Sequence, residues 1–561
     1  MKRPLRARYG ARDNMHALLA WDGDPARLPD NLADLTDKPP NASAPGDRWW
    51  PSVGCGPLDD WWALWWTQPD DEATRAGMVR SEVALWHLDE IGDVTDLLPV
   101  LHALSGRTSL PTPPDARLGA VVEALMTADR RRPVYLDLET WPAVLAALWL
   151  RLWPVARRAF SARVAISPPQ GGESVAPPWL FGVPPDRAPQ WLDHPVIAPT
   201  TDSPLGRAAR WFVGGEDPTL AEVLAACGER PADPGWLARP ARAADHLDRL
   251  RERSGPTNAI ALLRTLISLA PTPDAAATLK TEAQTILISK LAEASPDVVL
   301  LLANLDLPRL PDNAALESEL RSWFDRHVPR LPAQSIRPLL DRLAQPAVQA
   351  WWSANLHSAL AAGMNGADPR WPQAALRWFG EAICPPLLAE VVPSTPQLEE
   401  RMLAAATAAD LPTSSLPAVR ERASERGWSR LHAWAAYHSL PPDQALRAQR
   451  TFPGDPTPGL TFLVEHVPGA AVVEEAWRYP DDAFTTLAAT RTSRDPALLR
   501  PLDPAMPAWR SLWTAHIAAG GSIWPPGADR RSGAAQASGR PYATGWFAGL
   551  SAEQAGGCHG V

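Results

Sequence analysis

The spacing of apolar residues divides the chain into a first part that mixes strands with helices and a longer part that is helical. Alternating apolar and polar residues predict strands over 79–88, 134–138 and 161–167. Leucines and other apolar residues at helical spacing predict helices over 117–130 and 141–160. Strands that alternate with helices are typical of a mixed α/β domain, which we place at residues 1–167.

Prolines and helical spacing organise the rest of the chain. Residues 168–256 are Pro-rich with short helical stretches, which predicts a small middle unit. Over 257–526 helices follow one another without a fixed repeat period, which predicts an irregular, array-like all-α region. Residues 527–561 are rich in Gly, Ala, Ser and Arg and predict a disordered tail; their loss of pattern also fits a truncated or frame-shifted end. The predicted fold class is therefore multidomain α+β.

Composition excludes several classes of protein. Hydrophobic residues make up 45% of the 561 residues, and the net charge is −9 without a dense basic run, so general nucleic-acid binding is not expected. The longest apolar stretch, 141–150, is too short to span a membrane, and no signal peptide is readable, which predicts a cytoplasmic protein. The four cysteines form no CxxC pair, so we expect neither a metal site nor a disulfide framework.

Catalytic motifs are largely missing from the sequence. It contains no GxxxxGK[ST], HExxH or GxSxG motif, so P-loop, zincin and hydrolase-elbow chemistry are not expected, and neither is a cofactor. Asp137 and Glu139 follow a predicted strand, where α/β enzymes often place acidic residues. The alternative for these two carboxylates is a helix cap and a solvated side chain.

Tryptophan is unusually frequent, with 27 residues against 5 tyrosines and 9 phenylalanines. Two doublets, Trp61-Trp62 and Trp65-Trp66, would form one aromatic ridge on a helix. Exposed tryptophans often anchor protein interfaces, so this cluster is the best candidate for a contact surface. The alternative is that these indoles belong to the core.

Four motifs in the first hundred residues follow one another in a recognisable order. Tyr9-Gly10 precedes 15–20 (MHALLA), 33–36 (ADLT) follows, and the aromatic segment 61–67 comes next. The last is 75–82 (RAGMVRSE), which leads into a hydrophobic strand. This arrangement resembles the type 1 N-terminal domain of GTPase-associated protein 1, a family of bacterial conflict systems. The resemblance covers about residues 7–167, and the downstream helices look like the family's middle and C-terminal regions.

The resemblance implies a non-enzymatic adaptor or scaffold that couples a GTPase or related NTPase to effectors in a bacterial defence system. Its expected partners are an NTPase and effector-associated domain proteins encoded nearby. Interaction candidates are the four tryptophans of the cluster together with Arg75, Gly77 and Arg80 of the last motif. Met15 and Glu82 stand where the family has glycine and histidine, which separates this chain from any histidine-dependent activity of the family.

An enzyme is the alternative hypothesis. A hydrolase-type site in the N-terminal domain would use His16 with Asp34, or Asp137 with Glu139. Such a pair must come within hydrogen-bond reach in a pocket to work as acid and base. The distance between these side chains therefore separates the two hypotheses.

Overall fold

The structure, a computed structural model, describes most of the chain. The described residues are 3–24, 27–42, 48–113, 115–127, 131–169, 177–198, 204–343, 345–380, 392–408, 411–479, 481–499 and 507–521. The predicted disordered tail, 527–561, lies outside them. The chain divides into two compact units, Met1–Ser289 with Asp306–Asn313, and Lys290–Leu305 with Ala314–Val561. The predicted boundaries at 167, 256 and 526 are finer than this division and stay predictions.

The first unit is built on a mixed sheet, which confirms the predicted α/β character of the N-terminal region. Within the described residues the sheet has nine strands in the order β2-β1-β5-β4-β3-β7-β8-β6-β9. Neighbouring strands from β2 to β7 run antiparallel, and those from β7 to β9 run parallel. The strands are β1 (Leu5–Arg12), β2 (Met15–Trp21), β3 (Ser52–Leu58), β4 (Trp61–Pro69), β5 (Val79–His87), β6 (Val134–Tyr135), β7 (Ala162–Val164), β8 (Leu180–Gly182) and β9 (Val196–Ile197).

Two layers of apolar side chains cover the sheet, one on each face. On one face the indole of Trp62 contacts those of Trp86 and Trp149, with ring centroids 5.9 and 4.6 Å apart. The indole N–H of Trp62 donates to the Phe160 carbonyl at 3.0 Å, which satisfies a donor that burial removes from water. On the other face Trp65 and its neighbours pack with Leu32 of α1 (Leu32–Thr36).

The aromatic segment Trp61–Pro69 is a strand, so its prediction as a helical ridge is wrong. A run that is apolar at every position carries no periodicity to separate helix from strand. Tryptophan and threonine favour strands, and β4 lies between β3 and β5 in the sheet. The two tryptophans of each doublet therefore point to opposite faces of the sheet, and the four do not form one ridge.

The predicted helix over 141–160 is two helices. They are α5 (Trp141–Arg151) and α6 (Pro154–Ala159), separated by Leu152 and an extended Trp153 with φ −84° and ψ 163°. Pro154 causes the break, because a proline disfavours helical backbone in the residue before it and cannot donate an N–H to the helix.

The other helices lie between and after the strands along the chain, and no further strand follows β9 among the described residues. Up to residue 313 they are α2 (Leu88–Ile91), α3 (Leu98–Ser105), α4 (Asp115–Thr127), α7 (Arg207–Phe212), α8 (Pro218–Cys227), α9 (Ala238–Glu252), α10 (Pro256–Leu269), α11 (Ala277–Leu291) and α12 (Pro296–Leu302). Proline or glycine stands at or just before many of their first turns, as at α8 and α10.

Beyond residue 313 the described part of the chain is helical, as predicted. Its helices are α13 (Asn313–His327), α14 (Ala333–Leu343), α15 (Ala350–Asn365), α16 (Arg370–Phe379), α17 (Pro396–Ala408), α18 (Leu416–Glu425), α19 (Ser429–Ser439), α20 (Pro442–Arg450), α21 (Thr457–His466), α22 (Gly469–Arg478), α23 (Asp482–Arg494) and α24 (Pro507–Ala518). The second unit has its own apolar core, which includes Leu446, Leu463 and Phe484. None of the described helices is long and apolar enough to cross a membrane.

Candidate functional site: a pocket beside α1

The short helix α1 is fixed to the sheet through the backbone carbonyl of its last residue, Thr36. This carbonyl accepts hydrogen bonds from Thr67 Oγ1 at 2.9 Å and Ser81 Oγ at 2.5 Å. The two hydroxyl oxygens are 2.8 Å apart, and all three residues are fully buried. Because five residues are too few to form a stable helix alone, these bonds and the buried Leu32 hold α1 in place. We call Thr36, Thr67 and Ser81 the hydroxyl clamp.

His16 supports the same helix from β2. Its Nε2 lies 3.2 Å from Thr36 Oγ1, and that hydroxyl donates its proton to the Leu32 carbonyl at 2.8 Å. The imidazole is therefore the donor in the pair with Thr36. Burial lowers the pKa of His16, and its ring stacks on Tyr9 with centroids 5.7 Å apart. His16 is a neutral structural group whose hydrogen-bond partner is Thr36, not the predicted Asp34.

A pocket of about 450 Å³ opens on this face of the sheet, next to the C-terminal end of α1. Trp65, Ser52, Arg163 and Phe181 line it from the sheet. The segment that the hydroxyl clamp positions supplies the opposite wall, with Asp34, Asp37, Lys38, Pro39, Pro40 and Asn41. The clamp thus determines where this charged wall stands relative to the sheet.

The position of Trp65 depends on a glycine in the neighbouring strand. Gly54 faces Trp65 in the antiparallel register of β3 and β4. A Cβ atom at Gly54 would lie 2.2 Å from Trp65 Cζ2, far inside van der Waals contact. The indole therefore lies across the glycine backbone and forms part of the pocket surface, a packing that no other residue at position 54 allows.

The pocket offers charges of both signs beside aromatic rings. The Arg163 guanidinium is 5.9 Å from the centre of the Phe181 ring, within the range of a cation–π contact. Asp37 Oδ1 accepts the backbone N–H of Lys38 at 2.7 Å, which fixes the turn that presents both side chains. The described lining contains serine hydroxyls but no histidine or cysteine. This arrangement can bind polar groups that carry either charge.

The second pair of predicted catalytic residues serves the fold. Asp137 forms an ion pair with Arg117 at 2.5 Å and accepts the backbone N–H of Glu139 at 3.1 Å. It also accepts the N–H of Thr140 at 3.4 Å, just before α5 begins. Glu139 is exposed. Asp137 thus matches the alternative interpretation of a helix-start group with a solvated neighbour.

The predicted interaction residues fall into a buried and an accessible group. Trp62, Trp65 and Trp66 are at most 4% exposed, because they face the two cores of the sheet, so they cannot contact a partner while the domain is folded. Trp61 is partly exposed and donates its indole N–H to the Arg27 carbonyl at 2.8 Å. The interface prediction is thereby reduced to Trp61 and the three residues of the last motif.

Arg75 and Gly77 lie in the connection between β4 and β5, and Arg80 is the second residue of β5. Arg75 is exposed and donates to the Asn14 carbonyl in the β1–β2 turn at 3.3 Å. Gly77 is exposed with φ +82°, a left-handed conformation that favours glycine. Arg80 is half-buried on β5. Arg75 and Gly77 share this connection with the acidic Asp70, Asp71 and Glu72, and the role of the three predicted residues in binding stays a prediction.

Sequence reasoning missed most of the pocket. Asp34 was singled out, but Lys38, Ser52, Arg163 and Phe181 were not, because they come from distant segments that only the sheet order brings together. The available signal was the alternating glycines of Ser52–Leu58, which permit large aromatic residues on a neighbouring strand. Among the described residues no group of three or more His, Cys, Asp or Glu side chains could hold a metal ion.

The antiparallel half of the mixed sheet thus carries a clamped helix and, beside it, a polar pocket. Residues 3–104, which contain β1 to β5 and the whole hydroxyl clamp, match the family model of the GTPase-associated protein 1 N-terminal domain, type 1. The resemblance predicted from four ordered motifs is confirmed over this segment. No curated protein and no solved structure matches the chain.

Proposed function

We propose that this chain is a non-enzymatic adaptor whose N-terminal domain binds a GTPase or related NTPase. The observation that carries the proposal is the match of residues 3–104 to a domain described as GTPase-associated. The pocket supports a binding role, since its walls combine carboxylates, cations and aromatic rings without a histidine or cysteine among the described lining residues. The exposed Arg75 and Gly77, with the half-buried Arg80, are the contact region that we assign to the partner.

The adaptor role extends to the rest of the chain in this proposal. We expect the helical region to bring effector proteins, encoded near the same gene, to the NTPase within a bacterial conflict system. A long helical region separate from the sheet supports this division of labour, because helical arrays offer extended surfaces for partner proteins.

In the hydrolase alternative the catalytic pairs would be His16 with Asp34 and Asp137 with Glu139, and among the described residues His16 and Asp137 have other partners. His16 is paired with Thr36, and burial keeps its pKa below the ordinary value. Asp137 is engaged with Arg117 and with two backbone N–H groups. A catalytic role for either would require these structural bonds to break first.

Charge reversal at Arg75 and Arg80 tests the proposed contact region. The full chain is co-expressed with the GTPase encoded beside its gene, and complex formation is measured by co-elution in size-exclusion chromatography. We expect Arg75→Glu with Arg80→Glu to weaken the complex at least tenfold, because charged rim residues steer association. Arg253→Glu, an exposed arginine beyond the matched segment, is the matched control and leaves binding unchanged. Equal weakening by both changes would contradict the assignment of the surface.

A further inference from the structure

His432 in the helical unit is a buried histidine whose ring is hydrogen-bonded to Gln449 and which also lines a pocket. It is 6% exposed, lies in α19 and lines a pocket of about 830 Å³. Its Nδ1 is 2.6 Å from Gln449 Oε1. Pockets of this size are typical of sites for small molecules.

The bonds of Gln449 determine which nitrogen of His432 carries the proton. The Gln449 amide nitrogen donates to Ser429 Oγ at 2.9 Å and to the Pro456 carbonyl at 3.3 Å. A carbonyl can only accept, so the amide oxygen must face His432 and the Nδ1 must be the donor. Nε2 of the neutral ring then carries a lone pair. Ser429 and Gln449 are themselves buried, and Gly459 N–H donates to Ser429 Oγ at 3.0 Å, which fixes this chain of bonds.

Arg420 supplies a cation beside this histidine. It lines the same pocket from α18, and its Nη1 is buried without a hydrogen-bond partner among the described residues. Burial lowers the pKa of His432; the hydrogen bond to Gln449 acts in the opposite direction, and the charge of Arg420 adds to the lowering. A guanidinium donor that is removed from water and left without an acceptor costs free energy, which an anion in the pocket would recover.

The other charged groups of the pocket leave Arg420 as its main cation. Arg422 Nη1 donates to both carboxylate oxygens of Glu425, at 2.9 and 2.8 Å, so the charges of these two residues largely cancel. Glu421 is exposed. The described lining residues from other elements are uncharged apart from His432: Gly380, Ser414 and Pro453.

We propose that this pocket binds the phosphate group of a small molecule, with Arg420 donating to the phosphate oxygens and His432 Nε2 sharing a proton with one of them. A phosphate monoester loses its second proton near pH 6, so ligand and imidazole hold one proton between them close to neutrality. The pocket is larger than phosphate needs, which leaves room for the organic part of the ligand. The proposal does not depend on binding of a GTPase.

Calorimetric titration of the full chain tests this site, with inorganic phosphate and ribose 5-phosphate as probes. We expect saturable binding of both, with ribose 5-phosphate the tighter. Because the complex holds one proton that neither free partner holds at high pH, the affinity falls about tenfold between pH 7.5 and 8.5. Sulfate brings no proton and binds more weakly than phosphate at pH 7.

Two variants and one control complete the test. Arg420→Gln removes the cation, and His432→Asn keeps a donor toward Gln449 while it removes Nε2; each weakens phosphate binding at least tenfold. Arg337→Gln, at an exposed arginine on α14, is the control, and we expect it to leave the phosphate affinity unchanged. Far-UV circular dichroism checks that each variant is folded. Absence of saturable binding of either probe to the native chain overturns the proposal, as does unchanged affinity in the folded Arg420 and His432 variants.

Discussion

Removal of the hydroxyl clamp has consequences that can be calculated from its geometry. Thr67→Val and Ser81→Ala each delete one hydroxyl that donates to the Thr36 carbonyl. After either single change the carbonyl keeps one donor, so the loss is one ordinary hydrogen bond, about 1 kcal/mol. After both changes a fully buried carbonyl has lost both donors, which adds a desolvation cost of about 1–3 kcal/mol. The double variant therefore costs about 3–5 kcal/mol, more than the sum of the single changes.

Hydrogen exchange measured by mass spectrometry reports this loss locally. The amides of Leu35 and Asp37 donate to the carbonyls of Asn31 and Ala33 at 3.1 and 3.2 Å, so they exchange only when α1 opens. We expect their exchange to accelerate about fivefold in each single variant and about a hundredfold to a few thousandfold in the double variant. Thr265→Val, in α10, is the matched control and leaves α1 unaffected. Additive single effects, or unchanged exchange in the double variant, would refute the clamp as the support of α1.

Three further changes test the packing and the charges of the fold. Gly54→Ala places a Cβ against Trp65 and lowers the free energy of unfolding by about 3 kcal/mol, measured by urea unfolding, whereas Gly255→Ala, with 3.7 Å to its nearest atom, stays near the native value. Lys280→Met removes a buried ammonium that donates to three backbone carbonyls at 2.6–3.1 Å, and we expect a loss of about 3–5 kcal/mol in the same assay; a loss below 1 kcal/mol would contradict this role. Burial lowers the pKa of His16, His246 and His432, so the unfolded chain binds more protons and stability falls as the pH drops below about 6.5; equal urea midpoints at pH 7.5 and 5.5 would contradict this sign.

The sequence predicted elements whose periodicity was unambiguous and whose contacts were local. The strand β5 and helices such as α13 and α15 were readable because their apolar residues recur with a clear period. Trp61–Pro69 was misassigned, since a continuous apolar run fits either structure. Strands β8 and β9 contain only three and two residues, and their pairing with β6 depends on contacts far away in the chain.

The candidate site was harder to predict than the fold for the same reason. Asp34 is readable from the sequence as an acidic residue of the 33–36 motif, but its neighbours Arg163 and Phe181 are placed by the junction of β3 with β7 and β8. The sequence pairs His16 with Asp34 as catalytic candidates, whereas the fold of α1 against β2 brings His16 to Thr36. The family resemblance succeeded because it relied on the order of four motifs, which does not require knowledge of the contacts.

The most direct test of the account is the equilibrium affinity between the purified full chain and a GTPase found encoded near its gene, the partner that we propose. Biolayer interferometry with the GTPase loaded with GDP or with a non-hydrolysable GTP analogue measures this affinity. The account predicts a saturable, stoichiometric complex with at least one nucleotide state, weakened by charge reversal at Arg75 and Arg80. A chain that binds neither state, and instead turns over a substrate in a manner abolished by one side-chain substitution, would contradict it.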